Sequence, residues 1–191
     1  WTSLRMLDFS NDNFDGHRST LLANIPPTLT FLRLMVRSEK DAELAMHCIS
    51  RQTNLEILRL EMYNVEWDMS PMFQNLTNLQ TLYLRTNNLP ILPSLPLLET
   101  FAWAFEYEMD TMALPALFNL DWSTHFPSLK RFGIRTVFFG EWVDQLVSVL
   151  PNQLTSLFLV LPVDLEPDKM ITKLKQMTQL TTWIWANCGI R

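Results

Sequence analysis

The chain has 191 residues, 48% of them hydrophobic and 18% charged, with a formal net charge of −5. That length suits one domain with a sizeable core, and that composition excludes a disordered tail. The acidic balance gives no reason to expect nucleic acid or an anionic membrane surface as a partner, and no apolar run reaches the roughly 18 residues of a membrane span.

One pattern runs the length of the chain: an apolar residue, two variable residues, an apolar residue, one variable residue and a third apolar residue. Leu4, Leu7 and Phe9 open it, followed by Leu29, Leu32 and Leu34, then Leu55, Leu58 and Leu60. Leu79, Leu82 and Leu84 come next, then Leu98, Phe101 and Trp103. Leu129, Phe132 and Ile134 follow, then Leu154, Leu157 and Leu159, and Leu180, Trp183 and Trp185 close the series. The first leucines recur every 24 to 26 residues, with one unit of 19 and one of 31.

In a short strand, side chains alternate between two faces. The second and third apolar residues of each motif therefore point together into a core, and the residue between them points outward. A single unit cannot bury its apolar face, so stability must come from stacking units into a parallel sheet. The expectation is eight short strands.

The segments between strands divide into two kinds. Asp41 to Arg51, Glu141 to Leu150 and Asp168 to Met177 carry apolar residues at helical spacing, with Asp41 as a candidate cap and Pro151 as a stop. Ile25-Pro26-Pro27, the Leu89 to Pro93 run and Leu95-Pro96 resist helix, because proline fixes φ and lacks a donor. Phe105 to His125 is the one long crossing. It reads either as a crossing that buries Phe118, Leu120 and Trp122 or as a contact loop, since long loops often carry function.

The best single unit is Leu79-Gln80-Thr81-Leu82-Tyr83-Leu84-Arg85-Thr86-Asn87-Asn88-Leu89. With seven further motifs at near-regular spacing, the chain resembles the leucine-rich-repeat family over its whole length. The resemblance implies an α/β solenoid: a concave parallel sheet of about eight strands, with mixed helical and extended convex crossings, forming one domain over residues 1–191. The sequence opens inside a repeat, so the expectation is a fragment of a longer array or protein. The family's turn position after the strand holds Asn87 and Cys188, but Asp12, Arg37, Tyr63, Glu106, Val137 and Pro162 elsewhere. Those departures put a regular strand ladder in doubt outside the fourth unit. The aromatic residues at core positions, including Trp183 and Trp185, require repacking of their neighbours.

Catalytic groups are few. His17, His47 and His125 lie in different units, the four glycines form no phosphate-cradling loop, and no zinc-type spacing of Cys and His occurs. The acidic clusters Glu106, Glu108, Asp110 and Asp164, Glu166, Asp168 lack the turn and ligand count of a calcium loop. The expectation is no catalytic residue, no metal and no cofactor. Cys48 and Cys188 fall in distant units, which favours two free thiols and a reducing, cytoplasmic setting. Asn75-Leu76-Thr77 is a glycosylation sequon that leads into a strand, which favours a structural reading.

If the register is right, the outward central column runs Asp8, Arg33, Arg59, Tyr83, Ala102, Gly133, Phe158, Ile184. The next runs Ser10, Met35, Glu61, Arg85, Ala104, Arg135, Val160, Ala186. Arginine and tyrosine are common at binding hot spots. Arg33, Arg59, Glu61, Tyr83, Arg85, Arg135 and Phe158 are thus the candidate contacts with a protein partner. By resemblance of repeat style, such an array is similar to the substrate-receiving part of F-box ubiquitin-ligase subunits or the sensor of plant-type immune receptors. Two other roles stay open: the targeting domain of an effector-like enzyme, and a structural array packed against flanking repeats or domains.

Overall fold

The computed structural model describes residues 3–9, 18–63, 68–86, 90–104, 120–135, 140–161, 171, 172 and 174–187. These form an α/β fold: one open, all-parallel sheet of eight strands, with five helices among the described residues. The strands are β1 (Met6–Phe9), β2 (Phe31–Val36), β3 (Ile57–Met62), β4 (Thr81–Arg85), β5 (Thr100–Ala104), β6 (Arg131–Arg135), β7 (Ser156–Leu161) and β8 (Thr182–Asn187). They lie side by side in chain order. The helices are α1 (Arg18–Asn24), α2 (Glu39–Ser50), α3 (Ser70–Phe73), α4 (Trp122–His125) and α5 (Gly140–Val149).

Two local devices repeat along the chain and set the register. The first is a turn before the strand. The N–H of Leu55, Leu79, Leu98, Leu129, Leu154 and Leu180 each donates to the carbonyl three residues earlier, at 3.0 to 3.3 Å. The middle of these turns holds Thr53-Asn54, Thr77-Asn78, Pro127-Ser128 and similar pairs, which suit a turn because their side chains or ring favour its dihedrals. The second device is a shared acceptor at the leading end of each strand. The carbonyls of Arg5, Thr30, Glu56, Gln80, Glu99, Lys130 and Thr155 each accept two N–H groups from the next strand. A carbonyl oxygen has two lone pairs, so one acceptor can fix both donors.

The result is one uninterrupted ladder. Leu7, Leu32, Leu58, Leu82, Phe101, Phe132, Leu157 and Trp183 sit in one row, and Phe9, Leu34, Leu60, Leu84, Trp103, Ile134, Leu159 and Trp185 in another. The irregular ladder expected from the missing Asn or Cys does not occur in the described strands. Tyr63 shows why at one such position: its N–H simply continues the sheet by donating to Val36 O at 3.0 Å. Asn87 and Cys188 themselves lie outside the described residues.

The core lies on one side of the sheet. From β2 to β4 it is mainly leucine, with Val36 and Met62, and at β5 and β6 it gains Phe101, Trp103 and Phe132. Phe101 stands 5.8 Å from Phe132, 6.1 Å from Phe126 and 6.4 Å from Trp122, while Trp122 meets Phe132 edge-on at 5.2 Å. These tilted and edge-on geometries suit the ring quadrupoles. The described end of the long crossing thus buries Trp122 and Phe126, as the burial reading expected; residues 105–119 lie outside the described residues.

The crossings correct several expectations. Helix α2 begins at Glu39, and its cap is Ser38, whose Oγ accepts from Asp41 N at 3.2 Å. Asp41 is therefore not the cap; it sits in the first turn with Glu39, where negative charge favours the helix dipole. Ala42, Ala45, Cys48 and Ile49 form the buried stripe of α2, which packs against α1, α3 and β2. Helices α1 and α3 are additions to the sequence reading. Helix α5 and the extended Pro90 to Pro96 crossing match it. That extended crossing finds donors' partners on both neighbours, since Ile91 N donates to Ser70 Oγ at 2.9 Å and Leu95 N to His125 O at 2.9 Å. Of the segment read as a third helix, residues 171, 172 and 174 are helical.

Trp183 overturns its expected role. It occupies a core row but is 49% exposed, because β8 is the last described strand and nothing described covers it.

Candidate functional site

The face of the sheet opposite the core is open, and the register sorts it into columns. Asp8, Arg33, Arg59, Tyr83, Ala102, Gly133, Phe158 and Ile184 align in the central one. Met35, Glu61, Arg85, Ala104, Arg135, Val160 and Ala186 align in the next. A third, leading column was missed by the sequence reading: Met6, Phe31, Ile57, Thr81, Thr100, Arg131, Ser156 and Thr182. Its apolar members Met6, Phe31 and Ile57 resemble core residues in the sequence. The alternation itself was the signal that could have found the column. Within it, Arg131 Nε donates to Thr100 Oγ1 at 2.8 Å.

Parallel stacking puts Arg33 directly opposite Arg59, which is unfavourable for like charges. The two side chains resolve this by turning to different partners. Arg33 Nη2 reaches Glu61 Oε1 at 3.1 Å, with Asp8 Oδ2 at 3.9 Å from Nη1. Arg59 lays its guanidinium over the Tyr83 ring at 4.7 Å, a cation–π contact. Arg85 Nη1 takes the other Glu61 oxygen at 3.5 Å and also lies 5.4 Å from the Tyr63 ring. Tyr63 Oη donates to Glu61 Oε2 at 3.0 Å. Burial first, and then the Glu61 hydrogen bond, raises the Tyr63 phenol above its ordinary pKa, so it stays a donor. Glu61 is thus the hub of the polar half, with two arginines and one phenol on one carboxylate.

All seven residues singled out in the sequence, Arg33, Arg59, Glu61, Tyr83, Arg85, Arg135 and Phe158, line one depression of about 370 Å³. Its floor is Ala102, Ala104 and Gly133. A Cβ built on Gly133 would stand 3.5 Å from Ala102 Cβ and 3.7 Å from Phe158 Cβ, so the floor is low because the side chains are short. Tyr83 and Phe158 rise on either side, 36% and 43% exposed. A second depression of about 430 Å³ lies at the leading ends of β1 to β4, lined by polar residues such as Arg5, Asn54, Glu56 and Gln80.

Among the described residues, reactive groups do not converge. Cys48 is a buried free thiol, and burial pushes its pKa up to about 11, which keeps it protonated and unreactive. Among the described residues, no group of three or more His, Cys, Asp or Glu gathers as a metal site would need. The acidic clusters Glu106, Glu108, Asp110 and Asp164, Glu166, Asp168, with His17 and Cys188, lie outside the described residues. Among the described residues, no helix is long and apolar enough to cross a membrane. Asn75 of the sequon is exposed, with Nδ2 donating to Ser50 O at 3.1 Å. Comparison with protein-family models, with curated proteins and with solved structures gives no match for this chain.

Proposed function

We propose that this chain is a leucine-rich-repeat solenoid whose open, concave sheet face binds a protein partner. The motif recurring on all eight strands, the repeated turn and the repeated shared acceptor support the repeat reading. The observation that carries the binding reading is the gathering of Arg33, Arg59, Glu61, Tyr83, Arg85, Arg135 and Phe158 around one depression. Such a surface joins arginine and aromatic side chains, the types that dominate hot spots, on a rigid sheet that needs no ordering on binding. The role is recognition without chemistry: the partner is held, and any reaction belongs elsewhere.

The test is a selection from a displayed random-peptide library, followed by a block on the face. Gly133→Phe fills the depression from its floor. Binders selected on the wild-type chain should be lost on Gly133→Phe, whose fold is checked by circular dichroism. Binders that survive the block would place recognition elsewhere and sink the reading.

A second reading, an array packed within a larger assembly, is favoured by Trp183 and Ile184, each 49% exposed on β8. Monodisperse, monomeric behaviour at high concentration counts against it.

A further inference from the structure

We infer that the depression takes an acidic, extended peptide segment in which one bulky apolar side chain sits over Ala102, beside Tyr83, between two flanking carboxylates. This rests on the open face being a protein-binding surface and names the chemistry of its partner.

The first support is charge. Four arginines and one glutamate line the depression, in a chain whose formal net charge is −5. Local positive potential against a negative whole marks a place where an anionic group is favoured. The one glutamate is already committed. Glu61 holds Arg33 and Arg85 at 3.1 and 3.5 Å. Among the described residues, no carboxylate lies within 4.0 Å of a nitrogen of Arg59 or Arg135. Arg59 is exposed and lies over the Tyr83 ring at 4.7 Å. A planar guanidinium of this kind matches a carboxylate through paired hydrogen bonds.

The second support is shape. Ala102 and Gly133 lie on adjacent strands β5 and β6, and Tyr83 and Phe158 stand on the strands outside them. At about 4.8 Å per strand, the two aromatic walls are roughly 14 Å apart, which leaves room for one large side chain between them. A short-sided floor between aromatic walls, rimmed by polar groups, is the plan of an anchor pocket.

The third support is spacing. Arg59 on β3 and Arg135 on β6 are three strands apart, and Arg135 lies two residues further along its strand than the row of Arg59, which makes the diagonal about 16 Å. An extended chain rises about 3.3 Å per residue, so the four steps from one acid to the other cover about 13 Å, and the long arginine side chains reach across the rest. Alternate residues of an extended chain share one face. Acid, spacer, apolar, spacer, acid therefore puts all three recognised side chains toward the sheet.

The experiment is fluorescence anisotropy with labelled peptides built on Glu-Ser-Trp-Ser-Glu. Three partners replace both acids by Gln, both acids by Lys, or Trp by Ala. The acidic tryptophan peptide should bind about tenfold more tightly than its Gln and Ala versions, and the Lys version should not bind. Its affinity should fall from 0.05 to 0.3 M salt, as screening predicts, while that of the Gln peptide stays level. Arg59→Ala and Arg135→Ala, each with an unchanged denaturation midpoint, should weaken the acidic peptide about fivefold and leave the Gln peptide alone. Equal binding of the Glu and Gln peptides, or no binding of any up to about 1 mM, overturns the inference. So does equal binding of single-stranded DNA, which would make the face a general polyanion surface. Library binders that map to the depression but carry no acids would end this inference and leave the protein-binding reading standing.

Discussion

In the central column, strands β2 to β4 carry their bulk on the open face, whereas β5 and β6 carry it in the core. In the first group, Arg33, Arg59 and Tyr83 stand outward over Leu32, Leu58 and Leu82. In the second, Ala102 and Gly133 stand outward over Phe101 and Phe132. The ladder runs through both without a break, so backbone distortion does not make the depression. It forms because short outward residues follow large ones across a regular sheet. The aromatic core beneath needs its own partners, which the crossing supplies as Trp122 and Phe126. One stretch of chain thereby changes both faces at once: the core becomes interlocked rings, and the surface becomes a floor.

The sharpest way to break that comparison is to remove the ring at the centre of the cluster. Phe101→Ala should cost about 3 to 5 kcal/mol in a denaturant titration, because Phe101 is fully buried against three other rings. Leu82→Ala, its ladder neighbour in the leucine region, should cost about 2 to 5 kcal/mol and serves as the reference. A Phe101→Ala loss near 1 kcal/mol would mean that the rings are not packed together.

A second test probes the leucine side. Gln52 stands where later turns carry Leu76, Leu95 or Met177, and it is completely buried. Its Oε1 accepts from Leu29 N at 3.3 Å. The segment before Leu29 contains Pro26-Pro27, and the glutamine serves the N–H there. Gln52→Leu orphans the Leu29 N–H but also removes the buried Gln52 Nε2, which has no partner among the described residues, so the net cost in urea should be at most about 1 kcal/mol. Greater stability would show that Leu29 finds another acceptor.

Much of this was readable in the sequence, for physical reasons that differ by element. The strands were legible because a period-two pattern with leucine at fixed places has one good solution, and the register followed from stacking like residues. The candidate face followed from the register, which is why seven named residues meet at one depression. Helices α1 and α3 were not legible. Arg18–Asn24 is 7 residues long and Ser70–Phe73 is 4, too short to show a period, and packing rather than propensity holds them. Ser38 was hidden as a cap because Asp41 is also a good capping residue. Trp183 was misread because burial depends on what lies above a strand, which its own motif does not encode. The pairings of Glu61 with Arg33, Arg85 and Tyr63 needed coordinates, since long side chains choose partners diagonally as well as across.

A smaller effect sharpens the account of the floor. Gly133→Ala adds one methyl at ordinary contact distance from Ala102 and Phe158, 3.5 and 3.7 Å. Glycine inside a strand is less stable than alanine there by about 0.5 to 1 kcal/mol, so the variant should gain that much in thermal denaturation. A loss instead would mean that the strand needs glycine's backbone freedom, and the floor would then be a backbone feature.

The smallest expected effect concerns how the aromatic region is clipped in place. Asp121 caps α4, the short helix that carries Trp122 into the cluster. Its carboxylate accepts from Thr124 Oγ1 and Ser123 Oγ, both at 2.7 Å, and from Thr124 N at 3.2 Å. These donors, the Thr124 hydroxyl first, hold its pKa down to about 2, below the ordinary value near 3.9. A carboxylate with a lowered folded pKa favours the folded state fully above about pH 4, and that contribution fades as pH falls toward 2. The wild-type chain should therefore exceed Asp121→Ala in urea midpoint by a constant margin from pH 7 to 5. The margin should narrow below pH 4. The carboxylate faces solvent, so the whole margin should be slight beside the loss in Phe101→Ala. A margin that stays constant down to pH 2 would assign the cap's effect to something other than the ionised carboxylate. A large margin would mean that the aromatic core leans on this surface clip more than on its own rings.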